Sequence, residues 1–164
     1  MKRRKALVIT SDKGLFGKIT DSLQAAVLEI GHAEAYAQAI SLYARFHYVL
    51  VILDLGIPDV DGVSIVRRIR QLEQTPILAL SALNSREKEI SALNAGADAC
   101  LPIEGMLDQK LFLAYASALM RRCLSANTKE AASIQIAGFG LKLNLGIRKA
   151  FLNGENLRLT PKQF

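Results

Sequence analysis

Asp54 is the residue on which chemistry can be built. It closes the apolar run Val49-Leu50-Val51-Ile52-Leu53, and Gly56, Pro58, Asp61 and Gly62 follow within eight positions. A carboxylate placed there can act as a nucleophile, accept a transferred group or hold a cation through its oxygens. An apolar run without alternation predicts a strand buried on both faces, in the interior of a parallel sheet. A carboxylate within it is costly unless paired. Asp54 is therefore expected at the strand's carboxyl end, beside the crevice where open α/β sheets bind ligands. The competing role, capping the next helix, falls to Asp61. No Gly-rich phosphate loop, nucleophile elbow or pair of catalytic carboxylates occurs elsewhere. His32 and His47 lie far apart, with no acid or cysteine at ligand spacing, and suit packing or solvent roles. Cys100 and Cys123 form neither a disulfide framework nor a metal-ligand spacing, and Cys100 reads as a small buried hydrophobe.

The elements that position Asp54 can be read in order. A strand is expected over 6–10. Asp12 then caps a helix whose apolar positions Ile19, Leu23, Ala26, Val27 and Ile30 recur at helical spacing, ending at Gly31. A weak strand over 33–37 and a short helix over 38–46 precede the central strand at 48–53. Asp61 opens a helix that turns Ile65, Val66 and Ile69 inward. Strands at 77–81 and 99–103 alternate with helices at 85–95 and 108–123. Five such units in about 120 residues predict a flavodoxin-like (βα)5 doubly wound parallel sheet, with its site at the carboxyl ends of strands one and three.

Past residue 124 the hydrophobic period changes. A polar linker is expected over 125–132, and Ile134, Ile136, Leu141, Leu143 and Leu145 then alternate at period two. Asn153-Gly154 between Phe151-Leu152 and Leu157-Arg158-Leu159 is a hairpin signal. Thr160-Pro161-Lys162-Gln163 has the form of a capping box that opens a helix. Residues 133–164 are thus expected to be antiparallel strands running into a helix start.

Asp54, Leu55, Pro58, Asp61 and Gly62, in the spacing D-L-x-x-P-x-x-D-G, resemble the phospho-acceptor segment of bacterial response-regulator receiver domains. The tail from 133 resembles the opening strands of the winged-helix effector domain in the OmpR/PhoB family, where a segment like L-T-x-x-E-F begins the first helix. The resemblance implies a receiver over 1–124, a linker over 125–132 and an incomplete DNA-binding domain over 133–164, its recognition helix absent from this chain. DNA binding would belong to the full-length protein alone, and a histidine kinase is an implied partner. Asp54 would be the phospho-acceptor, or its vestige.

The rest of the pocket departs from the family pattern. The resemblance puts an acidic pair after strand one, where this chain has Thr10 and Ser11; Asp12 stands one place too far along and is needed as a cap. A Mg²⁺ ion would have Asp54, a backbone carbonyl near Gly56 and waters, which implies weak binding at most. Ser81, followed by Ala82, matches the hydroxyl that bonds the phosphoryl group. In Gly96-Ala97-Asp98-Ala99-Cys100-Leu101-Pro102-Ile103-Glu104, Ile103 stands where the family has Lys, Glu104 where it has Pro, and Cys100 where it has an aromatic. A degenerate receiver that works without phosphorylation is the favoured reading. A genuine phospho-accepting switch and a pseudo-receiver with a small ligand in the emptied pocket are the alternatives.

By the same resemblance, the face of helix four, strand five and helix five would form a homodimer. Leu111 and Tyr115, four residues apart in the last helix, take positions where the family commonly has Glu and Arg. Phe112, Ala116 and Leu119 make the inward stripe of that helix. Ile90, Leu93, Leu111 and Tyr115 are the expected dimer contacts, with Met106 nearby. The chain reads as a regulator of transcription rather than an enzyme. No apolar run is long enough to span a bilayer, and the basic start followed by 6–10 is too short for a signal peptide, so a cytoplasmic, membrane-free protein is expected. Net charge is +6, and residues 126–164 hold six Lys and Arg against two Asp and Glu. That basic segment is compatible with nucleic-acid binding and equally with simple solubility.

Overall fold

The apolar runs become the strands of one sheet, and the helices between them cover both of its sides. The computed structural model describes residues 4–26, 28–82, 85–104, 108–128, 133–136, 141–144, 149–152 and 155–157. Strands β1 (Arg4–Ile9), β2 (Leu28–Ala33), β3 (Leu50–Asp54), β4 (Ile77–Ser81) and β5 (Ala99–Pro102) pair in parallel in the order β2-β1-β3-β4-β5. Helices α1 (Lys13–Leu23), α2 (Tyr36–Arg45), α3 (Gly62–Leu72), α4 (Arg86–Ala95) and α5 (Gln109–Thr128) connect or follow them. This is the flavodoxin-like arrangement expected from the alternation of strands and helices.

Period-two alternation within buried strands divides the core in two. Leu7, Ile9, Val51 and Leu53 pack with Tyr43 of α2, Val66 of α3 and Ala92 of α4. Their neighbours Ala6, Val8, Leu50 and Ile52 pack with Ile19 of α1 and with Phe112 and Ala116 of α5. Every residue of β3 is buried, as its unalternating sequence requires. The sheet therefore hides Asp54's strand on both faces and leaves only its carboxyl end near solvent.

Three expectations are corrected. The second strand is Leu28–Ala33, not 33–37, and α1 stops at Leu23 instead of running to Gly31. Ala26 and Ile30 mimic helical spacing, but a 3-10 turn over Gln24–Ala26 ends the helix and the chain re-enters the sheet beside β1. Gly31 is in the middle of that strand, where a Cβ would lie 2.7 Å from Tyr48 Oη. Its glycine serves close packing, not a helix cap. The last helix also continues to Thr128, past its expected end at 123, since neither Gly nor Pro interrupts 109–128.

The period-two tail forms a separate sheet of β6 (Ser133–Ile136), β7 (Leu141–Asn144), β8 (Lys149–Leu152) and β9 (Glu155–Asn156). These strands pair antiparallel in chain order. Leu145, the Asn153-Gly154 turn and the capping box at 160–163 lie outside the described residues. No described helix is long and apolar enough to cross a membrane.

Candidate functional site

Asp54 is the last residue of β3, 7% exposed, with the chain leaving it through Leu55, whose N–H donates to Leu80 O. The segment after it folds back tightly. Asp61 caps α3 by accepting from Val63 N, and Gly62 lies so close to Leu55 that a Cβ there would come 2.7 Å from Leu55 Cα. The spacing of Asp54, Asp61 and Gly62 is thus a packing requirement as well as a motif. It pins the loop next to the carboxylate.

Both oxygens of Asp54 are engaged by neutral donors. Thr10 Oγ1 donates to Oδ2 at 2.8 Å, and Gly56 N donates to Oδ1 at 2.8 Å. Thr10 follows β1 and is wholly buried. Its hydroxyl accepts from Asp12 N at 3.1 Å, its N–H donates to Ala33 O, and its carbonyl meets His32 Nε2 at 2.9 Å. His32, on β2, stacks on Phe16 with ring centroids 3.8 Å apart, the packing alternative of the two roles expected of it. Asp12 accepts from Leu15 N at 2.9 Å and caps α1, as expected, while Ser11 is exposed. Thr10, Asp12, Asp54 and Gly56 are therefore joined in one hydrogen-bonded chain.

Ser81 and Ile103 are occupied elsewhere. Ser81 Oγ, at the carboxyl end of β4, donates to Glu89 Oε1 at 2.8 Å. Half-buried Ile103 packs on the core beneath α1 and α5. The family pattern does not point to Glu89, since it pairs Ser81 with the acceptor site. A carboxylate in the first turns of the next helix was the available signal. Cys100, across from Ala79 on β5, is half-buried. Burial pushes its thiol above the ordinary value, a hydrogen bond with Ser81 pulls it back, and the Glu89 charge raises it again.

The donor set can be tested against the Mg²⁺ that the resemblance implies. A hard octahedral cation takes six oxygen ligands, typically one or two carboxylates with several retained waters. Here Asp54 brings the single pocket carboxylate, and both of its oxygens already accept bonds. The Asp12 carboxylate is used as a helix cap, and Thr10's proton is directed at Asp54. One pocket carboxylate with both oxygens already engaged makes a poor seat for the ion.

The expected dimer contacts are all on the surface. Ile90 and Leu93 of α4 are 51% and 46% exposed, and Leu111 and Tyr115 of α5 are 46% and 40% exposed. Phe112, Ala116 and Leu119 are buried, as their inward stripe requires. Met106 lies outside the described residues.

Residues 6–104 match the family model described as response regulator receiver domain. The chain is 40% identical over 119 residues to the transcriptional regulatory protein BasR of Escherichia coli (strain K12), covering 72% of this chain and 50% of that protein. It is 34% identical over 162 residues to the transcriptional regulatory protein PmrA of Pectobacterium parmentieri, covering 98% of this chain and 69% of that protein. Against the transcriptional regulatory protein PrrA of Mycobacterium tuberculosis, identity is 28% over 161 residues, 98% of this chain and 67% of that protein. The chain thus spans half the length of BasR. Among solved structures, a two-component response regulator from Clostridium difficile superposes with a TM-score of 0.67 at 28% identity, over 73% of this chain and 98% of that one.

Proposed function

The chain belongs to the response regulator receiver family, and on that premise we propose that it is the receiver-bearing part of a regulator of transcription that associates without being phosphorylated. The observation carrying this reading is the closed state of Asp54: Thr10 Oγ1 and Gly56 N occupy its two oxygens. An acylphosphate at Asp54 would have to displace the Thr10 bond and hold its charge with no second pocket acid to bring in a cation and with Ile103 in place of a cationic side chain. The receiver then acts as a dimerisation and protein-interaction module. Its association face is the exposed apolar residues Ile90, Leu93, Leu111 and Tyr115.

In the intact cytoplasmic protein, the antiparallel sheet after α5 would be the start of a winged-helix domain of the OmpR/PhoB type. Dimerisation would place two such domains on adjacent DNA half-sites. The relatives' description as transcriptional regulatory proteins supports this part of the reading.

The second reading, a genuine phospho-switch, is favoured by the carboxyl-end placement of Asp54 and the Gly56 N–H directed at it. One experiment separates the two. The chain is incubated with acetyl phosphate, or with beryllofluoride, and excess Mg²⁺, then examined by intact-mass spectrometry and light scattering. The expected result is no adduct and an unchanged dimer. Stoichiometric modification at Asp54 with a monomer-to-dimer shift would overturn the proposal in favour of the phospho-switch.

A further inference from the structure

Helix α4 is held to the molecule by little apolar packing. Ala92 is its one buried residue, and Ser85 at its N-cap position makes no side-chain capping bond. Its carboxyl end is fastened: Gly96 closes it in the left-handed region, at φ 117°, and Arg70 Nε donates to Gly96 O at 2.7 Å. At the amino-terminal half, Ser85 N donates to Ala82 O, and among the described side chains the fully buried Ser81 hydroxyl ties Glu89 Oε1 to the end of β4. Glu89 is one residue from Ile90 and four from Leu93, both of which point outward. A serine hydroxyl has a single proton; here it is directed at Glu89 Oε1 at 2.8 Å, with the Cys100 thiol as a second neighbour of the oxygen.

From this geometry we infer that Ser81 and Glu89 form an internal latch. The Glu89 carboxylate fastens the first turns of α4 to the end of β4 and so fixes how Ile90 and Leu93 are presented. The consequence for association rests on the dimer reading above; the fastening of α4 does not. Glu89 is a positioning residue in this scheme. While it holds Ser81, that hydroxyl has no proton to offer an acceptor at Asp54, so the latch also keeps the α4 face independent of the state of Asp54.

The test compares Ser81→Ala, Glu89→Ala, their double variant and Glu89→Gln in the whole chain. Two readouts are taken: hydrogen exchange of the α4 amides by mass spectrometry, and the dimer dissociation constant by sedimentation. A hydrogen bond to a charged group implies that either alanine variant speeds exchange in α4 about tenfold or more. The double variant should be no faster than the singles, because both remove the same bond. Glu89→Gln keeps an accepting oxygen and should stay close to the parent chain. The dimer should weaken about tenfold in step with exchange.

Unchanged α4 exchange in Glu89→Ala, or fully additive effects in the double variant, overturns the latch. Faster exchange with an unaltered dissociation constant overturns the link from latch to association. A parent chain that is monomeric at all concentrations refutes the dimer reading, and α4 exchange then decides the latch by itself.

Discussion

Thr10 determines what Asp54 can do. A hydroxyl satisfies a carboxylate as a donor, where an acid in the same place would repel it and call for a cation between them. The buried pair is held by this bond, and Thr10 becomes part of the fold's stability. Thr10→Val keeps the shape and removes the donor, leaving Asp54 Oδ2 short of a partner at 7% exposure. The expected loss is about 2 kcal/mol, typical of a hydrogen bond to a charged group. Thr10→Ser, which retains the hydroxyl, should cost less than half as much. Urea unfolding at one fixed protein concentration checks both, since association shifts the midpoint. A Thr10→Val midpoint equal to the parent's would mean that solvent already satisfies Oδ2. At this scale the sequence was legible for the placement of Asp54 at the end of its strand and for the Asp12 and Asp61 caps. It was silent on Ser81–Glu89 and on His32 at the Thr10 carbonyl. Those contacts join side chains across separate elements, and spacing along the chain carries no trace of which rotamer faces which.

Among the elements, the turn from β3 into α3 bears the tightest constraint near the site. Ala is a better helix former than Gly by about 1 kcal/mol, so Gly62→Ala would stabilise an unconstrained helix start. Here the new methyl would meet Leu55 Cα at 2.7 Å and Leu55 O at 3.0 Å, and backbone cannot swing aside as a flexible side chain can. The clash should outweigh the propensity gain and leave a net destabilisation of about 1–3 kcal/mol. A thermal unfolding midpoint at or above the parent's would show that the β3–α3 loop can relax. The same contrast explains which elements could be read in advance. β3 and β4 are dense apolar runs bounded by Asp54 and by Thr75-Pro76, and their signals agree at every level. β2 reads Leu-Glu-Ile-Gly-His-Ala, with a glycine crowded by Tyr48 and a histidine that bonds the Thr10 carbonyl. Tertiary contacts override its weak strand propensity, so the local pattern pointed to the wrong segment.

For the molecule as a whole, the question is what covers the exposed apolar side chains of α4 and α5. Phe46, another exposed aromatic, has Lys5 Nζ at 4.3 Å from its ring centroid and Arg45 at 5.7 Å, so cations of its own chain shield it. No comparable cation–π contact is formed by Tyr115 among the described residues. Leu111 and Tyr115 lie on the outer side of a helix whose inner stripe is already satisfied by Phe112 and Ala116. Substituting them removes apolar surface without disturbing the core. Leu111→Glu together with Tyr115→Arg, placed four residues apart, can also form a helical ion pair worth a few tenths of a kcal/mol. The unfolding midpoint extrapolated to the monomer should therefore remain within about 0.5 kcal/mol of the parent's, as for ordinary surface changes. Light scattering should report a dimer for the parent and a monomer for the double variant, with or without acetyl phosphate. A variant that still elutes as a dimer would move the association surface off α5. A monomeric parent that dimerises on phosphorylation would return Asp54 to the role of switch.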